Sequence, residues 1–225
     1  MSELLSRKTI VTNQRWLSIL VGAQLLLLGA NAMAIEEPVY EAVKTYPQFE
    51  LRRYQPFLVA ETEVDGEFDA VGNQAFRILA AYIFGENQSQ AKMEMTAPVN
   101  QRPAAVEGEK MAMTAPVTQR TKGDRSDTFV LSFVMPSGYN LDSLPVPLDP
   151  RVVLREEPAK LMAVRSYSGR WTEANYRENE SLLLAAVEKA GLKPVAAPVY
   201  ARYNSPFSLP FIRRNEAIVE VMEAQ

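Results

Sequence analysis

Apolar and polar residues alternate in two pairs of short segments, and each pair is followed by a long stretch of helical periodicity. Phe49 to Tyr54 and Phe57 to Val64 are rich in aromatic and β-branched residues and are bounded by Tyr54-Gln55-Pro56 and Asp65-Gly66, which predicts two strands. From about Asp69 to Phe84 the apolar residues recur at helical spacing, and Gly85 ends the helix as a residue that accepts the left-handed conformation at low cost. The same order returns later, with strands over Val152 to Glu156 and Leu161 to Tyr167 and a helix from about Thr172 to Ala190 before Gly191. On that second helix Leu183, Ala186, Val187 and Ala190 form the core stripe. Between the two lie Lys92 to Val99, Lys110 to Thr118, an apolar strand from Thr128 to Met135, and a loop holding Pro136, Pro145, Pro147 and Pro150. Val199 to Tyr203 and Ala217 to Met222 are predicted strands of the tail.

The two segments align at a constant offset of 103 residues, matching Leu51 with Leu154, Arg52 with Arg155, Leu58 with Leu161, Ala60 with Ala163, Gly66 with Gly169 and Leu79 with Leu182. Phe68 falls on Trp171. This predicts an internal repeat. Eight or so strands and two helices, in the order ββα taken twice, predict an α+β fold with antiparallel sheet curved around a core, and do not support a doubly wound parallel fold.

The first helix is apolar on two sides. Val71, Ala75, Ile78, Leu79 and Tyr82 make a stripe that a sheet can bury, while Phe76, Ala80, Ile83 and Phe84 lie on the other side. Something must cover that second side: either a loop or the proline-rich tail, or a flat apolar ligand flanked by Asn73 and by the Arg77 guanidinium, which suits a carboxylate.

The first 34 residues read as a secretory leader, with Arg7, Lys8 and Arg15 ahead of an apolar run from Trp16 to Ala30 and then Ala32-Met33-Ala34. The run is shorter than the roughly 20 apolar residues of a spanning helix, so stable membrane insertion is not expected once the leader is removed. The expectation is therefore a periplasmic or secreted protein whose residues 35–225 form a single domain. Net charge is −3, and since the leader is basic the remainder is more acidic still, which argues against nucleic acid as a partner. Oligomeric state is not legible.

The chain has neither cysteine nor histidine. Disulfides are excluded, and so are the commonest general base, the commonest zinc ligand and the usual proximal ligand of haem. No G-x-S-x-G, P-loop or G-x-G-x-x-G pattern is present, and no acid–base or nucleophile constellation is visible, so an enzyme is not expected. The near-duplicates Lys92 to Val99 and Lys110 to Val117 each contain a Met-x-Met pair, Met93 with Met95 and Met111 with Met113. On extended chain such pairs project to one side, where four thioethers would suit copper(I), although methionines more often fill core gaps.

The doubled Met-Thr-Ala-Pro-Val element, the run from Phe76 to Asn87 and the late Arg213-Arg214-Asn215-Glu216 together resemble the SOUL haem-binding proteins, most closely their bacterial branch, from about Val39 to Met222. The resemblance implies a pseudo-symmetric fold of two ββα-type halves forming a distorted antiparallel barrel with two helices. It also implies non-covalent binding of haem or a related tetrapyrrole in a shallow apolar groove beside the first helix, lined by Asn73, Phe76, Arg77 and Ala80, with Arg213 and Arg214 as further candidates for propionates. Some members of that family use an axial histidine, which this chain cannot supply. Tyr82, Tyr46 or a methionine remain as possible iron ligands. A different function follows if the ligand has been lost: an interaction domain whose groove is filled by its own Phe207-Ser208-Leu209-Pro210-Phe211 segment.

Overall fold

The computed structural model describes residues 35–90, 108–123 and 125–223. The leader, the segment from Lys92 to Val99 and both Met93 and Met95 lie outside the described residues.

In chain order the elements are β1 (Tyr40–Thr45), β2 (Glu50–Tyr54), β3 (Phe57–Asp65), α1 (Phe68–Ile83), β4 (Asn87–Gln88), β5 (Val117–Lys122) and β6 (Arg125–Val134). They continue with β7 (Val146–Pro147), β8 (Val153–Glu157), β9 (Lys160–Tyr167), α2 (Glu173–Lys189), β10 (Leu192–Pro194), β11 (Val199–Arg202) and β12 (Asn215–Glu223), with a 3₁₀ turn at Pro210–Ile212. The main sheet is ten-stranded and antiparallel in the order β1-β2-β9-β12-β11-β5-β6-β3-β8, with β10 also on β12. β4 and β7 form a separate two-stranded ribbon. The α+β prediction holds: two helices lie on a curled antiparallel sheet that makes a half-barrel.

The curl is forced by covalent connectivity. β2 stands near one end of the sheet and β3 near the other, yet only Gln55 and Pro56 join them. Three peptide links span at most about 11 Å, so the two ends must be drawn towards each other. Pro158 and Ala159 join β8 to β9 across the same gap. The rings of Tyr54 and Phe57, on either side of the first turn, are 6.4 Å apart. Leaving β1 aside, the strand order reads the same backwards when β2 is exchanged with β8, β3 with β9, β6 with β12 and β5 with β11. This is a symmetry of strand order.

The period of two along each strand sorts side chains between the faces of the sheet. Ala60 and Val64 of β3 and Phe129, Leu131 and Phe133 of β6 point to the helix side and pack with Val71, Ala75, Leu79 and Tyr82 of α1. Leu51, Ala163, Ala217 and Val219 pack with Leu183 and Val187 of α2. Tyr54, Val164, Ala201 and Ile218 form a smaller cluster on the opposite, concave face. The predicted α2 stripe is buried at Leu183 and Val187 and half-buried at Ala186 and Ala190. Thr172 caps α2, its hydroxyl accepting from the Asn175 N–H at 3.4 Å. Gly85, at φ 116°, follows α1, in a backbone conformation that side chains disfavour.

The extended segment Lys110 to Thr118 becomes a strand only at its end. Residues 110–116 are not in a ladder, and β5 begins only at Val117, because Pro116 has no N–H to donate. The period of two fails there: Met111 is buried in the α1 core while Met113 is 37% exposed, so this pair does not present two thioethers to one side. β1, with five of its six residues exposed, and the two- and three-residue strands β4, β7 and β10 carry too little pattern to be read beforehand.

Burial gives the fold a pH limit. Burial pushes the Tyr54 hydroxyl up to about 12, against a partial lowering by Arg52, and hydrogen bonding to Glu109 pushes Tyr139 up to about 12. Tyr82, Tyr167, Tyr176, Tyr200 and Tyr203 are raised as well, chiefly by burial. An unfolded chain releases these protons near pH 10, roughly, so the associated stability is intact below that and is lost as pH rises towards the folded values. Tyrosinate absorbance from these seven should therefore rise together with loss of near-ultraviolet circular dichroism. Complete tyrosinate formation ahead of that loss would contradict the burial described.

Candidate ligand-binding surfaces

Two surfaces have the composition of a ligand site, one on each face of the sheet. The first is the outer side of α1. Asn73, Phe76, Arg77 and Ala80 follow helical spacing and share that side. Asn73 and Arg77 are exposed, and neither side chain has a partner among the described residues. Phe76 is 36% exposed, with its ring edge-on to Phe133 at 5.3 Å. Ala80 and Ile83 are buried. The Met111 N–H donates to the Ile83 carbonyl at 2.9 Å, and the Met111 side chain joins the same core, so residues near 111 cover part of the second apolar side. Phe76 and Phe84, the latter 56% exposed, remain open.

Arg213 and Arg214 are occupied elsewhere. Arg213 donates to the carbonyls of Ser208 at 2.9 Å and Pro206 at 2.7 Å and stacks over Trp171, which ties down the tail loop. Arg214 pairs with Glu37 and Glu216 and lies 3.7 Å from the Tyr203 ring centroid. The tail does not fill a groove: Phe207 is 96% exposed and Phe211 72%. Tyr82 is buried and its hydroxyl donates to the Pro145 carbonyl at 2.9 Å, which leaves it unavailable to a ligand on the surface of α1.

The second surface, which sequence reasoning missed, is a cavity of about 520 Å³ on the concave face. Its apolar wall includes Phe57, Val59, Val134, Met162, Val199 and Ile218. Its charged wall is a chain of ion pairs crossing five strands: Arg120 to Glu61 at 3.5 Å, Glu61 to Arg155 at 2.8 Å, Arg155 to Glu157 at 2.5 Å, Glu157 to Lys160 at 3.0 Å and Lys160 to Glu220 at 3.4 Å. Burial alone would raise the Glu157 carboxyl, but the hydrogen bonds from Arg155 and Lys160 together outweigh it and hold the group below the usual carboxylate range. The hydrogen bond to Glu61 is the main cause of the raised Arg155 guanidinium. Alternation marks which residues of one strand share a face, but only the pairing order shows that Arg120, Glu61, Arg155, Lys160 and Glu220 meet.

Beside it on the same face, Glu216 is fully buried and saturated. One carboxylate oxygen accepts from Arg52 at 3.1 Å, Ser166 at 3.1 Å and Arg214, and the other from Tyr203 at 2.6 Å. Among the described residues no group of three or more Asp and Glu is arranged to hold a metal ion.

A curled antiparallel sheet backed by two helices thus carries two ligand-sized surfaces, one on the outer side of α1 and one on the concave face. The profile of the SOUL heme-binding protein family matches residues 35–220, and the chain belongs to that family. Heme-binding protein 2 of Homo sapiens is 29% identical over 196 residues, covering 84% of this chain and 87% of that protein. Among solved structures, the EcmrR C-terminal domain superposes with a TM-score of 0.53 at 12% identity, covering 83% of this chain and 99% of that one. A hydrolase from Listeria innocua superposes with a TM-score of 0.54 at 13% identity, covering 80% and 94%. These two share the fold.

Proposed function

We propose that this protein binds haem or a related tetrapyrrole reversibly on the outer side of α1, held by apolar contact and a carboxylate–guanidinium pair, with no histidine ligand and no covalent chemistry. The observation that carries the reading is the juxtaposition of the unpartnered Arg77 guanidinium with the half-open ring of Phe76 on a helix side left partly uncovered. Membership of a heme-binding family supports the ligand class. These residues suit an apolar ring bearing an acid group: burying such a ring contributes roughly 25 cal/mol per Å² before ordering costs, and a charge-assisted hydrogen bond adds about 1.5–3 kcal/mol. They do not suit an iron that requires imidazole, since the chain has none.

Titration of the purified protein with ferric haem and separately with metal-free protoporphyrin, followed by absorbance, tests this. Both should bind with similar strength. Phe76→Ala and Arg77→Gln should each weaken both by about tenfold, equivalent to about 1.4 kcal/mol. Failure of either compound to bind at micromolar concentration would sink the reading and leave a domain that has kept the fold without the ligand.

A further inference from the structure

We infer that the concave cavity is a separate ligand site, built for an amphipathic organic anion: an apolar body of modest size bearing a carboxylate. Its volume of about 520 Å³ lies within the range of pockets that enclose small organic ligands. The sign of the ligand's charge follows from which charges of the lining are least engaged. Three cations, Arg120, Arg155 and Lys160, face the cavity against two acids, Glu157 and Glu220.

The acids and cations are not equally engaged. Glu157 is held between Arg155 and Lys160, Glu61 between Arg120 and Arg155, and Glu220 against Lys160. Arg120 is the loosest member of the chain: its 3.5 Å contact with Glu61 is the longest in the network, and its guanidinium has no other partner among the described residues. A guanidinium offers five donors in a planar fork that matches a carboxylate, so Arg120 can bind an incoming acid without releasing Glu61 from Arg155. An incoming cation finds Glu157 already shared by two cations, and at Glu220 it meets the Lys160 ammonium 3.4 Å from that carboxylate.

The apolar body has its own wall in Phe57, Val59, Val134, Met162, Val199 and Ile218. The frame is preformed, since the turns holding Pro56 and Pro158 tie the two ends of the sheet across the opening. Preorganisation of this kind lowers the ordering cost of binding. The site is independent of the proposed tetrapyrrole surface, because the sheet stands between them: α1 packs on one face through Ala60, Leu131 and Phe133, and the cavity lies on the other through Val59, Ser132 and Val134.

Isothermal titration of the full-length protein with dodecanoate, below its micelle concentration, tests the inference, with dodecyltrimethylammonium and dodecanol as cationic and neutral probes of the same chain length. Dodecanoate should saturate at one per chain and the cation should give no binding. Arg120→Gln, a change at a partly exposed side chain, should weaken dodecanoate by at least about tenfold while leaving the haem titration unchanged, and Phe76→Ala should do the reverse. The inference is overturned if dodecanoate does not bind, if the cation binds more tightly, or if Phe76→Ala rather than Arg120→Gln abolishes dodecanoate binding. Weakening of haem by Arg120→Gln, with dodecanoate competing, would place the tetrapyrrole in the cavity and remove both assignments of place. Loss of haem binding alone, with dodecanoate intact, would remove only the tetrapyrrole reading.

Discussion

Glu216→Ala should destabilise the fold by about 3 kcal/mol, at the lower end of the cost of breaking a buried ion pair. The carboxylate is fully buried, and its removal strips Arg52 of its buried partner and the Tyr203 hydroxyl of its acceptor. The loss stops short of the upper end because Arg52 keeps Glu50 at 2.5 Å and the face of Tyr40, while Arg214 keeps Glu37. Arg52→Ala should cost less, since Glu216 then retains Arg214, Ser166 and Tyr203. Replacing the pair together, as Arg52→Met with Glu216→Leu, should recover much of the loss, because apolar substitutes avoid the desolvation that the charges suffer. Urea unfolding of the three variants gives the order directly. If Arg52→Ala proved the more damaging, Glu216 would not be the hub of this network. For a domain with typical stability of about 5–15 kcal/mol, the single Glu216 change is large.

Tyr176→Ala should cost about 3–5 kcal/mol, the range for deleting a fully buried aromatic ring. Tyr176 belongs to α2, yet it is buried in the core beneath α1, where its ring lies 5.2 Å from Phe68, 4.8 Å from Tyr200 and 6.3 Å from Tyr167. Its hydroxyl also accepts from the Arg202 Nε at 2.6 Å. The same guanidinium donates to Gln119 at 2.6 Å, and its Nη1 lies 2.8 Å from where a Cβ on Gly72 would sit, so Tyr176 helps to fix a side chain wedged against α1. Tyr176→Phe keeps the ring and loses only that charge-assisted bond, which predicts about 1.5 kcal/mol. Thermal unfolding of both variants separates the packing from the hydrogen bond. Equal losses would mean that the hydroxyl, not the ring, holds the helices to one core.

Alternation and helical periodicity made the principal elements legible. β2, β3 and β9 and both helices begin and end within a residue or so of their predicted limits, because each keeps one face in the core and is bounded by turn residues such as Gln55-Pro56, Asp65-Gly66, Gly85 and Gly191. The polyproline loop and residues 110–116 were less legible, since what they do is set by carbonyls on distant elements, such as Ile83. On α1, periodicity located the residues with an open side, Asn73, Phe76 and Arg77, but not that Met111 covers Ile83. For the concave face the limit is physical: Lys160 and Arg155 are neighbours across a turn, but Glu61, Arg120 and Glu220 join them only through strand pairing. Arg213 and Arg214 illustrate the same limit, as one clamps a loop and the other pairs with Glu37 and Glu216, and neither role has a local pattern.

The reciprocal order of the strands also governs how the chain can fold. β2 does not pair with β3, nor β8 with β9; each reaches instead for a strand of the other two-strand segment, about a hundred residues away. Neither segment can complete its ladders alone, so a chain that has emerged only as far as α1 has nothing to pair with β2 on the β9 side or with β3 on either side. Long loops must close before those ladders repay the lost entropy, which makes folding slow and late. Until β8, β9 and β11 arrive, β3, β2 and β5 each keep an unpaired edge, so the first half of the chain is completed only by the second.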